Sequence, residues 1–292
     1  MITIVKDRCS WKKYQVLEHV KYSGGYNKIM DEICKPKLKC EYYSGRMPGK
    51  YIMGVEETSE YIADKIRCQF PFFAGRLGGV ELNMIVRVLD VRYGNKRDCR
   101  KNALKTLCMN AGFFPTNMRL GEMFVDMMLK ELPTIDLHGI WPIYMEEYLI
   151  DRYEKKVKLT TLENLEPFRV SKKSNVKPWS SALSGKKVLI VHPFAETIEK
   201  QYYNHRQEIF SKMYEADDIL PEFDLKTLKA VQTIARNRDS RFRTWFEALD
   251  WMKDECRRID FDVAIIGCGA YGFPLAAEVK RMGKVAIHLG GG

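Results

Sequence analysis

The sequence predicts an α/β fold: a Rossmann-like parallel sheet flanked by helices, with a more helical N-terminal region. Three observations lead there. Short apolar runs, KVLIV (187–191) and VAII (263–266), read as strands buried on both faces. Amphipathic stretches of helical period follow such runs. Glycine-rich turns, GRLGG (75–79) and GCGAYG (267–272), stand where strand gives way to helix.

In chain order, residues 1–62 read as a basic, mainly helical region whose element boundaries the pattern does not fix. Residues 63–166 form a first α/β part: a strand over 70–74, a turn over 75–79, and a helix carrying Leu82, Ile85, Val86 and Leu89. Helices are expected over 117–132, capped by Thr116, and over 143–153, with a short strand in TIDLHGIW between them. Residues 167–185, rich in Ser, Lys and Pro, read as a linker. Residues 186–292 read as a C-terminal Rossmann-like part. It holds a strand over 187–191, a helix over 196–213, and a stretch over 225–234 that fits strand or helix equally. The TWFE run at 244–247 matches a capping box and starts a helix bearing Phe246, Leu249, Met252 and Cys256. A strand over 263–266, a helix over 274–282 and a strand over 285–289 complete the part.

At 292 residues, 46% hydrophobic and 29% charged, the composition is that of a soluble globular protein. No apolar run approaches the roughly 18 to 20 residues of a transmembrane helix. The opening MITIVKDRCS breaks its apolar run at Lys6 and Asp7, unlike a signal peptide, so a cytoplasmic location is expected. Eight cysteines form no C-x-x-C pair, and free thiols are expected. The net charge is +10, and residues 1–50 alone hold eleven Lys/Arg against five Asp/Glu. That balance suits anionic partners such as nucleotide phosphates or lipid headgroups. No zinc-finger, RRM or helix-turn-helix pattern accompanies it, so nucleic acid is not an expected partner.

A strand, a glycine turn and a helix together aim backbone N–H groups and the helix dipole at one spot. In the later turn Gly267 permits the bend, Gly269 lets a ligand approach, and Gly272 allows close helix–strand packing. Tyr271 belongs to the same donor-facing loop. Dinucleotide binding would further need a carboxylate about 20 residues on and a continuing βαβ half. The sequence has Ile287-His288-Leu289-Gly290 there and then ends, so a mononucleotide or pyrophosphate site between two halves of one sheet fits better, or glycines that only serve packing. In the earlier turn, Gly78 and Gly79 stand at a helix N-terminus, Arg76 is a two-pronged anion ligand, and Glu81 falls one turn into the helix. Arg76 and Glu81 could equally pair with each other.

Arg76-Leu-Gly-Gly-Val-Glu81 resembles the R-F-G-D-G-E signature of the GT-D-type glycosyltransferases, a family found among bacterial surface-polysaccharide genes. The likeness extends over about residues 65–292, with the late glycine turn and closing AIHLGGG matching the family's final α/β unit. It implies transfer of a sugar from a nucleotide-sugar donor, UDP-sugar favoured, to a glycan or lipid-linked acceptor. The enzyme would be cytoplasmic, with peripheral contact at the inner membrane face. Arg76, Gly78 and Glu81 match the signature, Glu81 as the catalytic candidate; Gly79 replaces its Asp and Val80 its second Gly. The family's D-x-E pair is implicated in divalent-metal binding, and the loss of its Asp argues against a Mn²⁺ or Mg²⁺ requirement here. The Gly79 replacement also leaves open a nucleotide-binding protein that has lost catalysis. An NAD-dependent oxidoreductase is the third reading, resting on residues 267–272 alone.

Among other candidates, His192 follows a strand at the edge where α/β sheets bind ligands, and could donate to a phosphate or bond its own backbone. Asp136 and His138 are spaced to point the same way from a short strand, a weak metal or acid/base signal that fits a structural role better. Trp141 could offer a stacking platform for a sugar.

Overall fold

The computed structural model describes residues 2–21, 47, 49–94, 97–141, 143–210, 216–237 and 239–290. Helix α1 spans Ile2–Lys21. The rest of the expected basic region up to residue 46, and the end of the helix expected to reach residue 213, lie outside the described residues.

A first run follows: β1 (Ile52–Met53), α2 (Val55–Arg67), β2 (Phe72–Gly75), α3 (Gly79–Arg92), α4 (Arg100–Asn110), α5 (Met118–Glu131), β3 (Leu137–Ile140), α6 (Glu146–Tyr153) and β4 (Lys158–Thr161). A second comprises β5 (Lys187–His192), α7 (Ala195–Ile209), β6 (Asp224–Lys229), α8 (Trp245–Arg258), β7 (Val263–Gly267), α9 (Gly272–Arg281) and β8 (Val285–Gly290). All eight strands form one parallel sheet in the order β1-β4-β3-β2-β8-β7-β5-β6. This is the α/β architecture the sequence predicts.

Residues alternate across the sheet as the pleat requires. Phe73, Leu189, Val191, Ala264, Ile266 and Ala286 face one core beneath α3, α4, α5, α8 and α9. Phe72, Ala74, Val188, Val263, Val285 and Ile287 face the other, beneath α2 and α7. Both faces are covered, which is why these strands read as unbroken apolar runs.

The last strand, β8, inserts between β2 and β7, so the two halves share one sheet. Residues 167–185, expected as a linker, connect those halves through two short 3₁₀ turns, and Trp179 is buried among α2 and sheet residues. The ambiguous stretch over 225–234 is resolved as strand only to Lys229, where pairing with β5 ends. Two helix starts differ from expectation. Asn117, not Thr116, caps α5, its side chain accepting from the Leu120 N–H. Helix α6 begins at Glu146 because Met145 adopts φ 70°, a left-handed conformation that cannot continue a helix back to residue 143. The Thr244 cap of α8 forms as expected, accepting from the Glu247 N–H, while the Glu247 carboxylate reaches the Arg243 N–H.

Candidate functional site: a cavity shared by two glycine turns

Because β2 and β8 are neighbours in register, Phe72 to Ala74 against Val285 to Ile287, their C-terminal ends emerge side by side. Arg76 leaves β2 at that edge and lays its guanidinium against the backbone of Gly290, donating weakly from Nε to the Leu289 carbonyl at 3.4 Å. A Cβ at Gly290 would stand 2.0 Å from Arg76 Nη2, and the residue's φ of +106° is one that glycine tolerates. Arg76 has no carboxylate partner among the described residues, so the alternative of an Arg76–Glu81 ion pair is not realised.

Arg76, Gly78, Gly79, Glu81, Trp141, His288 and, from the later turn, Gly269 line a cavity of about 210 Å³. The two glycine turns, some 190 residues apart in the chain, therefore meet around one space. The N-terminus of α3 opens onto it: Gly78 is the N-cap and supplies no side-chain cap. The Glu81 carboxyl folds back over that turn, close enough that a Cβ at Gly78 would lie 2.1 Å from Oε2. Burial pushes the Glu81 pKa up, opposed by its own backbone N–H and by the Arg76 charge. Trp141 is 45% exposed and stands at the rim; its ring lies 4.0 Å from where a Gly79 Cβ would be.

His288 forms the floor. It is only 3% exposed, and among the described residues neither ring nitrogen makes a hydrogen bond of good geometry, the Arg76 backbone being its nearest polar neighbour. Burial and then the Arg76 charge lower its pKa to about 3, the Arg76 backbone pulling slightly the other way, so the imidazole is neutral near pH 7. A neutral imidazole, a guanidinium without an ion pair among the described residues and a helix N-terminus whose first turn is shared with the Glu81 carboxyl together form a donor set for an anion. Sequence reading missed His288. The available signal was its position at the end of a strand, but its neighbour β2 could not be known without the strand order.

The remaining expected residues lie elsewhere. Gly267 makes room for His192, whose ring would meet a Cβ there at 2.9 Å. His192 itself accepts from the Phe194 N–H at 3.0 Å, and burial lowers its pKa. Gly272 makes room for His288: a Cβ would stand 2.2 Å from its Nε2. Tyr271 is buried, stacked on Trp245 with ring centroids 4.8 Å apart. None of His192, Gly267, Tyr271 or Gly272 lines the Arg76 cavity. Asp136 accepts from the Phe73 N–H and pairs with Lys280, and His138 is held between Glu154 (2.7 Å) and Glu146 (3.5 Å).

A divalent cation does not suit the donors present. Glu81 is the cavity's single carboxylate, it is buried, and Arg76 stands beside it, whereas Mg²⁺ and Mn²⁺ favour several oxygen ligands. Among the described residues no cluster of His, Cys, Asp or Glu has metal-holding geometry. No helix among them is long and apolar enough to cross a membrane.

Compared with known proteins, the chain matches no family model, no curated protein and no solved structure.

Proposed function

We propose that the protein is a glycosyltransferase that takes a sugar from a nucleoside diphosphate, a UDP-sugar favoured, and passes it to a glycan or lipid-linked acceptor of a bacterial surface polysaccharide. The observation that carries this is the convergence of Arg76, the α3 N-terminus and the late glycine turn on one cavity. The resemblance of residues 76–81 to the GT-D signature supplies the reaction class.

In this reading the acceptor hydroxyl oxygen attacks the anomeric carbon. The bond from that carbon to the diphosphate oxygen breaks, and its electron pair leaves with the phosphate. Arg76 and the α3 backbone N–H groups oppose the negative charge that develops on the leaving group. Glu81 takes the acceptor proton, and the upward push on its pKa brings it closer to the range of an effective base. No step requires a metal. The basic N-terminal region would rest on anionic lipid from the cytoplasmic side.

The Gly79 replacement keeps a second reading in view, a nucleotide-binding protein without turnover. The dinucleotide reading is weakened, since Gly267 and Gly272 accommodate histidine rings. Incubation with a panel of nucleotide sugars and acceptors tests the proposal. The wild type should consume one donor, and Glu81→Gln should lower turnover by about 100-fold or more while retaining nucleotide binding. Equal turnover in the variant removes Glu81 from the mechanism. Thermal stabilisation by nucleotide without consumption of any donor favours the second reading.

A further inference from the structure

A larger cavity, about 800 Å³, opens beside the first. One stretch of chain borders both: Asn110 and Ala111 line the Arg76 cavity, and Phe113 and Phe114 line the larger one. A second stretch links them indirectly. Gly269 lines the first cavity, and two residues on, the Tyr271 hydroxyl meets Thr233, which lines the second.

The lining of the larger cavity differs in chemistry. The Arg76 cavity gathers a cation, a helix end, a neutral imidazole and the buried Glu81 carboxyl. Its neighbour offers the rings of Phe114 and Phe242 together with Asn237, Ser240, Arg243 and the carboxylate of Asp239, while Thr233 on the same wall is buried and donates its hydroxyl to the Gly112 carbonyl. That carboxylate is held in a fixed orientation by Arg241, which donates from its backbone N–H, Nε and Nη2 at 2.6–3.2 Å. Its side chain retains 22% of its surface exposure. An oriented acceptor set among hydroxyls and an amide, with aromatic walls, matches a flat or ring-shaped ligand bearing adjacent hydroxyls. Arg241 neutralises Asp239 and Arg243 stands on the same wall, so the contrast with the Arg76 cavity lies in the hydroxyl, amide and ring groups rather than in net charge.

We infer that this second cavity binds a ring with a vicinal diol, Asp239 accepting from the hydroxyls and Phe114 or Phe242 covering the ring face. Such a diol could be the ribose of the donor nucleotide or a sugar of the acceptor. The inference deepens the transferase proposal and rests on it only for the source of the ligand.

Isothermal titration of the full chain decides the matter. The probes are the four ribonucleosides, their 2′-deoxy counterparts, methyl glycosides of common hexoses, and inorganic pyrophosphate. The proteins are the wild type, Asp239→Asn and Ser240→Trp; residue 240 is exposed on the cavity wall, so the indole fills the space without entering the core. At least one diol should bind, and both variants should weaken it tenfold or more while leaving pyrophosphate binding unchanged. A loss of binding on 2′-deoxygenation assigns the site to the donor ribose; binding of glycosides alone assigns it to the acceptor. If no diol binds the wild type, or if both variants bind it unchanged, the inference is overturned. Diol binding without binding of pyrophosphate or turnover of any donor would leave the inference standing and remove the transferase reading.

Discussion

The turn after β2 and the turn after β7 have the same layout of strand, glycines and helix, yet their glycines meet different neighbours. In the earlier turn a Cβ at Gly75 would meet Phe73 at 2.7 Å and one at Gly78 the Glu81 carboxyl at 2.1 Å, but at Gly79, beside the cavity, the nearest atoms are in Ile143 and Trp141 at ordinary contact distances of 3.6 and 4.0 Å. At Gly267 and Gly272 a Cβ would strike the rings of His192 and His288 at 2.9 and 2.2 Å. In the later turn only Gly269, with φ +60°, reaches the cavity. A G-x-G-x-x-G spacing thus specifies the path of the backbone, and the tertiary neighbours decide whether the freed space holds a ligand or a side chain.

The largest effect should separate the two turns by stability. Gly272→Ala drives a methyl into His288, whose ring is buried and also close to Gly75, where a Cβ would stand 3.0 Å from His288 Cβ. Overpacking at such a position costs about 3 kcal/mol, and a chemical denaturation midpoint should fall accordingly. Gly79→Ala meets no such contact and stands at the first position of a helix, where Ala loses less backbone freedom than Gly. It should leave the midpoint unchanged or raise it. Equal losses in the two variants would show that both turns serve packing alone.

Ligand binding should reverse the order. Arg76→Ala removes the cavity's cation, and a charge-assisted contact of about 1.5–3 kcal/mol corresponds to a 10- to 100-fold weaker affinity for pyrophosphate. Stability should hold, because Arg76 makes one long hydrogen bond to Leu289 and no ion pair among the described residues, so its only nearby carboxyl, Glu81, acts on it without direct contact. A substantial fall in thermal midpoint with unchanged pyrophosphate affinity would make Arg76 a structural residue.

Much of this was legible in the sequence, for physical reasons that also mark where legibility stops. The runs 187–191 and 263–266 announce themselves because a parallel strand covered on both faces must be apolar throughout. Arg76, Gly78 and Glu81 stand within six residues, so local pattern is enough to single them out. The place of β8 between β2 and β7 is a choice of partner among strands of similar composition, which no local pattern encodes. His288 depends on that choice, and the space for its ring depends on glycines at 75 and 272, so its unpaired nitrogens could not be anticipated. The partners of His138 sit 8 and 16 residues away on α6 and just beyond it, and only the packing of that helix on β3 brings them together.

Two buried histidines give the effect that is smallest per pH unit, of opposite sign on the two sides of neutrality. Burial alone would lower the His138 pKa, but the charges and hydrogen bonds of Glu154 and Glu146 outweigh it and raise it to about 10. Glu146 Oε1 also accepts from the Trp141 N–H at 3.2 Å, so this cluster anchors the rim of the cavity. A histidine whose folded pKa lies above its unfolded value near 6.5 gives its full stabilisation below pH 6.5 and loses it as pH rises toward 10. His288, lowered to about 3, is the converse: its contribution is present above pH 6.5 and fades as pH falls toward 3. Each limb should slope by no more than about 1.4 kcal/mol per pH unit. Unfolding free energy measured by denaturant from pH 4 to 9.5 should therefore peak between the limbs. His138→Gln should flatten the alkaline limb alone, and His288→Leu the acid limb alone. An alkaline limb that persists unchanged in His138→Gln would mean that the imidazole between Glu146 and Glu154 carries no charge, and that the rim of the cavity is held by packing.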